Sequence, residues 1–555
     1  MRKILLGALL LAVSHSFAEQ SGRAERHEED ITIHYQGATA KVEQNTKDSV
    51  SVTVNGASVN IESLYEDHKL TILLTGKSDD GQLNLKTAGK AKIRLEGLTL
   101  TSQEGAPLCL KNKKKVEVVA AKGTENTLSI TACNDTANHK AAVVWAKDKL
   151  AFSGKGTLNI IATGDGCRGI KTKKDITIEE LTLNVTTSGD NLGEKPFGFG
   201  GGGMPDFGGG GGFPSFGNDS TRPGGFPGFG GGGMPDFSNF PRPDFGGGGF
   251  PGFGGGMPDF GGGGMPNFGG GGMPDFGGGF PGFENDSTNE DGFGGGFGGK
   301  HKYVASTKGI ASKGKITINS GHVTVRTNTA GAEGIEGKEG VVFNGGTIDV
   351  LTTDDAINAN ATIEFNGAHV TARSMGNDAV DSNPKGGFFM FTPPKLGGDR
   401  GLNDGTSDAG SNPQPPNLGG SEEPAIIIRG GAVYAWSQVG SPEEGLDCDF
   451  APLVVEGGTI FSVGGGMGEM PSVPSNEDAK QPTVVLIGLN IVKNEPVYIY
   501  DGSNKLIDTV TIPFSLRRSA SLVSNPAFKV GSTYTVKTAG YEKTFTLSEQ
   551  FMAVR

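Results

Sequence analysis

Residues 352–383, TTDDAINANATIEFNGAHVTARSMGNDAVDSN, carry one pattern twice. Asp355-Ala356-Ile357 is matched by Asp378-Ala379-Val380, and upstream by Glu333-Gly334-Ile335 and Lys308-Gly309-Ile310. The small residue falls at 309, 334, 356 and 379, so successive steps are 22 to 25 residues, the length of a solenoid turn. A second element repeats in phase: Ile316-Thr317-Ile318 before Gly321, Val341-Val342-Phe343 before Gly345, Ile363-Glu364-Phe365 before Gly367. A third strand follows each glycine, at Val323-Thr324-Val325, Ile348-Asp349-Val350 and Val370-Thr371-Ala372. Three short strands per turn in constant order predict an all-β chain wound as a right-handed parallel β-helix. Each turn then stacks its apolar residues on the same positions above and below, burying one continuous core. An antiparallel sandwich does not account for in-phase repeats of this length.

Outward from the repeats, the chain divides by composition. Residues 1–18 read as a secretory signal: basic Arg2 and Lys3, an apolar run from Ile4 to Val13, and Ser16-Phe17-Ala18 as a small-residue exit. That run is too short for an anchor, no later stretch is apolar enough to span a bilayer, and no cysteine near the exit offers a lipid attachment. The expectation is a secreted or cell-surface protein. Residues 19–90 form an N-terminal β cap or the start of the helix, and 91–192 its first part. Residues 303–383 hold the clearest repeats, 425–495 the final turns, and 496–555 a small set of C-terminal β strands. Two segments break this rhythm. Residues 193–302 are Gly, Phe, Pro and Asp, with Met-Pro-Asp-Phe recurring from Met204, Met234, Met257 and Met273. Glycine runs cost too much chain entropy to order, and proline blocks helix and sheet, so this insert reads as disordered. Residues 384–424, rich in Pro, Gly, Asn and Asp, read as a second disordered loop.

The net charge of −12 with scattered Lys and Arg excludes a nucleic-acid binder, which needs clustered positive charge. The cysteines, Cys109, Cys133, Cys167 and Cys448, form no CxxC pair, and the eight His residues show no HxxxH spacing, so zinc has little support. Export permits disulfides; buried thiols are equally compatible.

Chemistry enters through the acidic positions. Aligned by turn, Glu333 and Glu336, Asp355 and Asn358, Asp378 and Asp381, and Glu444 and Asp447 flank the small-apolar pairs, with Asp354 and Asn377 one place before. In a parallel helix equivalent positions lie about 4.8 Å apart. Carboxylates at that distance must protonate, splay into water or bind a cation, and hard oxygen donors suit calcium. Solvated turn residues are the plainer reading of any single pair. No catalytic residue is assigned: paired acids at hydrolytic distance occur in any acidic ladder, and Lys308, Arg326 and Arg373 are bases that nothing in the sequence fixes beside them.

The stretches GDGCRGIKTKKDITIEELTLNV (164–185), KGIASKGKITINSGHVTV (308–325), residues 352–383 and LVSNPAFKVGSTYTV (522–536) resemble the cell-surface carbohydrate-binding β-helix proteins of plant-cell-wall-degrading bacteria. The resemblance covers most of 90–555 apart from the two inserts. It implies a pectate-lyase-like fold, bound calcium with Asp355, Asp378 and Asp381 among its ligands, and binding of cellulose and acidic pectin without evident cleavage. The Phe-Gly insert departs from that pattern, and the Asn-Thr-Asp, Gly-His-Gly and Arg-Ile-Lys signatures of polygalacturonases do not occur.

Three functions follow as expectations. The first is non-catalytic, calcium-dependent binding of plant cell-wall polysaccharide, pectin (polygalacturonate) or cellulose. Calcium on the acidic edge would bridge protein and uronate carboxylates, whereas neutral glucans would need aromatics such as Tyr434 and Trp436 stacked on sugar rings. Either ring could instead be core, as Trp145 is read to be. The second is a calcium-dependent polysaccharide lyase. The third is a structural adhesin acting through the insert, whose Phe residues spaced by Gly suggest self-association through 193–302.

Overall fold

The computed structural model describes residues 29–46, 49–132, 141–191, 306–384, 423–449, 451–465 and 471–555. The signal at 1–18, the insert, nearly all of the 384–424 loop and Cys133 lie outside the described residues.

The described body contains β structure and no helix. It is a parallel β-helix whose turns contribute strands to three stacks. The first is an 11-stranded sheet that includes Arg168–Thr172, Lys308–Ser312, Glu333–Gly337, Ile357–Ala359, Val380–Ser382 and Leu446–Asp447. The second and third belong to a 23-stranded sheet and run through Ile316–Ile318, Val341–Phe343 and Ile363–Phe365, and through His322–Thr327, Thr347–Thr352 and His369–Ser374. Strands on either side of the long insert are direct neighbours: Ile170 pairs with Ile310 and Val185 with Val325. The inserted residues thus leave the ladder's register intact.

Apolar stacking builds the core. Val118, Phe152, Ile178, Ile318, Phe343, Phe365, Ile428 and Val455 follow one another in register, each almost fully buried. Phe343 and Phe365 lie face over face with centroids 5.1 Å apart. Polar residues obey the same stacking. Asn366 Nδ2 donates to Asn344 Oδ1 at 2.9 Å and Asn344 Nδ2 to Asn319 Oδ1 at 2.9 Å, an amide ladder on the outside of the turn. Buried hydroxyls steer the chain from the third stack into the first. Thr327 Oγ1 donates to the Ala332 carbonyl at 2.8 Å, and Ser374 Oγ accepts from the Asn377 N–H at 2.8 Å.

The small residue of each repeat sits at the corner where the first stack begins. A Cβ added to Gly309 would lie 2.4 Å from Val325 Cγ1, and one added to Gly334 would lie 2.6 Å from Val350 Cγ1 and 2.4 Å from the Ala356 carbonyl oxygen. Ala356 and Ala379 fill the same corner in later turns, fully buried. Two consecutive residues therefore turn inward, the small one and the Ile or Val after it. The residues on either side of them, three apart in sequence, both face out.

The chain ends in antiparallel structure. Leu516–Ser524 pairs with Thr459–Gly464 and with Thr483–Ile491. A four-stranded sheet from Pro496–Asp501, Leu506–Thr511, Thr533–Thr538 and Tyr541–Thr546 follows, over a second core that includes Phe461, Phe514, Phe528 and Tyr534. At the other end Ile31–Gln36 pairs in parallel with Leu70–Ser78, so the parallel stacking begins there. Cys167 is disulfide-bonded, while Cys448 is a buried thiol.

Gly334→Ala should cost about 2 kcal/mol of unfolding free energy, because the added methyl meets backbone that cannot give way. Ala356→Gly, which only frees the chain, should cost nearer 1 kcal/mol. Denaturant unfolding of both variants compares them; equal losses would remove the corner argument.

Candidate functional site

The corner geometry puts two files of side chains on the outer face of the first stack. One runs Lys308, Glu333, Asp355, Asp378, Glu444. Its spacing is fixed by backbone bonds from Gly334 N to Asp355 O (2.9 Å), Ala356 N to Asp378 O (3.3 Å) and Ala379 N to Glu444 O (3.0 Å). The other runs Ala311, Glu336, Asn358, Asp381, Asp447 in direct register. Asp354, Asn377 and Glu443 sit one place before the first file.

The two halves of this ladder have opposite electrostatics. In the upper half Lys308 Nζ lies 3.0 Å from both Glu333 oxygens and 2.7 Å from Glu336 Oε1, and Lys338 also pairs with Glu336. Burial alone would raise the Glu336 carboxyl, but Lys308 and Lys338 overcome it and bring it down to about 2. Glu333 is pushed up by burial, against the pull of Lys308. These two acids already hold cations of the chain's own.

The lower half has far less compensation. Asp355 is 6 % exposed; burial, then Asp354, Asp378 and Glu333, push its carboxyl well above the usual range. Burial also raises Asp381, together with Asp355, Asp447, Asp449 and Glu333. Asp378 is raised by burial and by Asp447, although it accepts the Glu444 N–H. Burial and Asp447 push Glu444 up to about 8. Asn358 Nδ2 is shared, donating to Asp355 Oδ2 and Asp381 Oδ2 at 2.9 Å each. Asn377 Nδ2 donates to Asp354 Oδ1 at 2.9 Å, and the Ser472 N–H to Glu444 Oε2 at 2.6 Å. Asp355 Oδ1 and Asp381 Oδ1 are buried and accept no hydrogen bond. Buried carboxylate oxygens without donors are costly, and either protonation or a cation relieves that cost. The donors are carboxylates and an amide, the hard oxygen set that calcium takes. Among the described residues no three acidic side chains already surround one point as a closed metal cage; the donors stand in files.

The structure thus brings Glu333, Glu336, Asp354, Asp355, Asn358, Asn377, Asp378, Asp381, Glu444 and Asp447 to one face. Sequence reasoning missed Glu443, Asp449 and Ser472 around the last rung. Burial and Asp447 raise Asp449 to about 6. The acid density of Pro442-Glu443-Glu444-Gly445-Leu446-Asp447-Cys448-Asp449 was the available signal.

Trp436 requires a correction. It is 8 % exposed, belongs to the C-terminal core, and its Nε1 donates to the Phe461 carbonyl at 3.2 Å. The antiparallel strands cover the end of the third stack, so this ring cannot serve as a sugar platform. Tyr434 is half-buried between His369 and Trp436, with centroids 5.4 and 6.1 Å away. Trp145 is buried, outside the main core, with Ala106, Cys109 and Ala142. Of the bases considered, Lys308 is held by Glu333 and Glu336. Arg326 pairs with Asp349, and Arg373 lies 5.3 Å from the Phe514 ring centroid; both stand in the large sheet rather than on the acidic face.

Comparison with known proteins adds a class of ligand. Residues 56–197 and 282–379, less than half of the chain, match the family described as carbohydrate-binding domain-containing protein. The match is to a carbohydrate-binding domain. A curated protein of that description from Acetivibrio thermocellus is 26 % identical over 152 residues, 26 % of this chain and 50 % of the relative. The chain spans about half the length of the curated relative it matches. Among solved structures, the gadolinium derivative of a polysaccharide lyase-like protein from C. thermocellum aligns over 62 % of this chain and 90 % of its own, with 16 % identity and a TM-score of 0.35. Among the described residues no helix is long and apolar enough to cross a membrane.

Glu336→Gln should cost on the order of 3 kcal/mol at neutral pH, because it leaves the largely buried Lys308, and the part-exposed Lys338 beside it, short of a counter-ion. The Glu336 carboxyl is lowered in the fold, so its contribution is present above the unfolded value of about 4.5 and lost as pH falls towards 2. Melting curves of wild type and variant should therefore differ at pH 7 and converge towards pH 2. A constant gap across that range would contradict the ion-pair account.

Proposed function

We propose that this protein is an exported, non-catalytic binder of plant cell-wall polysaccharide that holds pectin, as polygalacturonate, through calcium on the lower half of the acidic ladder. One observation carries the reading: Asp355 and Asp381 each bury a carboxylate oxygen with no donor, amid Asp378, Glu444 and Asp447. Asp355, Asp378, Asp381, Glu444 and Asp447 are the acids that would hold the ion. Asn358 presents an amide that can offer its oxygen after a half-turn of the side chain. Calcium bound there would supply the positive charge that lets an acidic protein grip an acidic sugar chain. Glu333 and Glu336, neutralised by lysines, hold the register of the upper ladder instead.

The match to a carbohydrate-binding domain supports the class of ligand. Pectin is favoured over cellulose because Trp436 is core and offers no face to a neutral sugar ring. Binding is favoured over cleavage because Lys308, the one base of the three considered that stands on the acidic face, is committed to Glu333 and Glu336. Export rests on the signal at 1–18.

Retention in a polygalacturonate gel, run with calcium and with chelator, tests the proposal, with ultraviolet absorbance of unsaturated products read alongside. Calcium-dependent retention without new absorbance is expected; new absorbance would make the protein a lyase. Calcium at about a hundred times its dissociation constant should add about 2.7 kcal/mol of stability. Asp355→Asn should abolish that gain while leaving the chelated protein at least as stable as wild type, because it removes a buried charge. A calcium response that survives in Asp355→Asn would place the ion elsewhere.

A further inference from the structure

A charge pattern opposite to the acidic ladder runs along the corner between the first and second stacks. In six successive turns this corner is formed by residues 86–90, 111–115, 147–149, 173–175, 313–315 and 338–340. These segments hold thirteen lysines and three acids, Asp148, Asp175 and Glu339, in a protein of net charge −12. Positive charge that reads as scattered along the sequence is therefore clustered in the fold. Stacking sets the lysines in files. Lys86 pairs in register with Lys111. Lys147, Lys173, Lys313 and Lys338 continue that file, their N–H groups donating to the carbonyls of Leu110 (2.9 Å), Ala146 (3.2 Å), Thr172 (3.1 Å) and Ser312 (3.0 Å) in the turn before. A second file holds Lys90, Lys115, Lys149 and Lys315, directly before Ala91, Val116, Leu150 and Ile316, which follow one another in register through the second stack. Asp175 interrupts it and pairs with Lys149 at 2.9 Å.

The corner backbone is held from within. Buried Asn112 donates to the carbonyls of Lys114 (2.8 Å) and Lys149 (3.3 Å) and accepts from the N–H groups of Lys147 and Asp148 at 3.1 and 3.2 Å. Thr172 Oγ1 donates to the Asp148 carbonyl at 2.8 Å, and Ser312 Oγ to the Lys174 carbonyl at 2.6 Å. The lysine side chains themselves are largely uncommitted. Lys86 pairs with Glu62 and Lys338 with Glu336, but Lys90, Lys111, Lys115, Lys147 and Lys315 are exposed and have no ion pair among the described residues. At about 4.8 Å per turn, the six lysines of the first file make an edge about 24 Å long. The file ends where the uncompensated acids begin, since its next places are taken by Asn360 and Asn383.

We propose that this edge is a second binding site for an acidic polysaccharide, a polyuronate chain that lies along the helix axis with its carboxylates on the lysine ammonium groups, and that it needs no calcium. The ligand class rests on the polysaccharide reading above, whereas the site shares no residue with the acids that would hold the ion. A linear polymer suits the edge because its charge repeats along a line, at a spacing close to the length of one sugar residue in an extended chain. Ammonium groups on flexible stems meet carboxylates as point charges and demand no single geometry. Nucleic acid suits it less: the six segments contain no aromatic residue to stack a base and no arginine to fork a phosphate. Such binding is electrostatic and weakens as salt rises, so high salt silences the edge and leaves calcium-dependent retention to the ladder.

Wild type and a variant carrying Lys111→Gln, Lys115→Gln, Lys147→Gln and Lys315→Gln are run on polygalacturonate gels over a salt series, in chelator and in calcium, with thermal midpoints read in parallel. In chelator at low salt wild type should be retarded, and the retardation should fade as salt rises. The four substitutions should weaken it on the order of tenfold, each removing one exposed ion pair, and leave the rise in midpoint on adding calcium as in wild type. Equal retardation of the two proteins overturns the edge, as does retardation of wild type on fully methyl-esterified pectin, which has no carboxylate to offer. Duplex DNA that displaces wild type at lower charge concentration than galacturonate oligomers overturns the sugar assignment. Should the variant have a lower midpoint, arginine at the same four positions decides. It keeps the charge, so wild-type retardation supports the edge and its loss overturns it. The two sites fail separately: retention that chelator abolishes at every salt concentration overturns the lysine edge and leaves the calcium reading standing, and retention in chelator that calcium does not strengthen does the reverse.

Discussion

Every turn of a parallel β-helix sets its side chains about 4.8 Å above the same positions of the turn below, and the rest of this molecule follows from that spacing. For apolar residues the constraint is favourable, as in the file from Val118 through Phe365 to Val455, where each ring or branch covers the next. For amides it is self-satisfying: in the 319–344–366 ladder Asn366 donates to Asn344, which in turn donates to Asn319. For carboxylates it is adverse: two charges at that separation repel by roughly 3.5 kcal/mol at an effective dielectric of 20. A repeat protein that keeps acids at one position through successive turns carries a cost that its own packing does not relieve.

The chain meets that cost in two ways within one ladder. Above, Lys308 and Lys338 stand among Glu333 and Glu336, and the group of four is close to self-neutral. Below, the only neutral side chain in the two files is Asn358, whose one amide group donates to two carboxylates and leaves an oxygen of each without a partner. The difference matters more than the acidity. A ladder compensated throughout would be a structural device, whereas one left deficient over adjoining rungs keeps a charge that only protonation or a cation can relieve.

Periodicity made the fold legible. The triplets at 308, 333, 355 and 378 gave the turn length, and the small residue at each corner is where two consecutive side chains must point inward. The same alignment put the acids on one face, because outward files in a β-helix are a direct image of repeat phase. What stayed hidden depends on contacts that have no period. Trp436 occupies an outward position of the third stack, yet the C-terminal strands fold over it, and nothing in its own repeat signals that cover. The pairing of Lys338 with Glu336 is a loop contact, outside the strand pattern. The pairing of Leu516–Ser524 with Thr483–Ile491 also slips, leaving Arg517 and Arg518 together opposite Asn490, an irregularity between two antiparallel strands that no repeat signals.

That division explains where the unusual chemistry gathers. Within the repeats, any residue is judged by its copies above and below, so an unpaired charge is tolerated only if the file as a whole can accept it. At the last turn this discipline ends. Among the described residues Leu446–Asp447 pairs with Val380–Ser382 on one side only, and beyond it the chain is free to place Ser472 and Glu443 without regard to register. The raised carboxyls of Glu443, Glu444 and Asp449 gather at that boundary. A regular ladder repeats one kind of contact from turn to turn; a second kind of contact needs a place where the repeat stops.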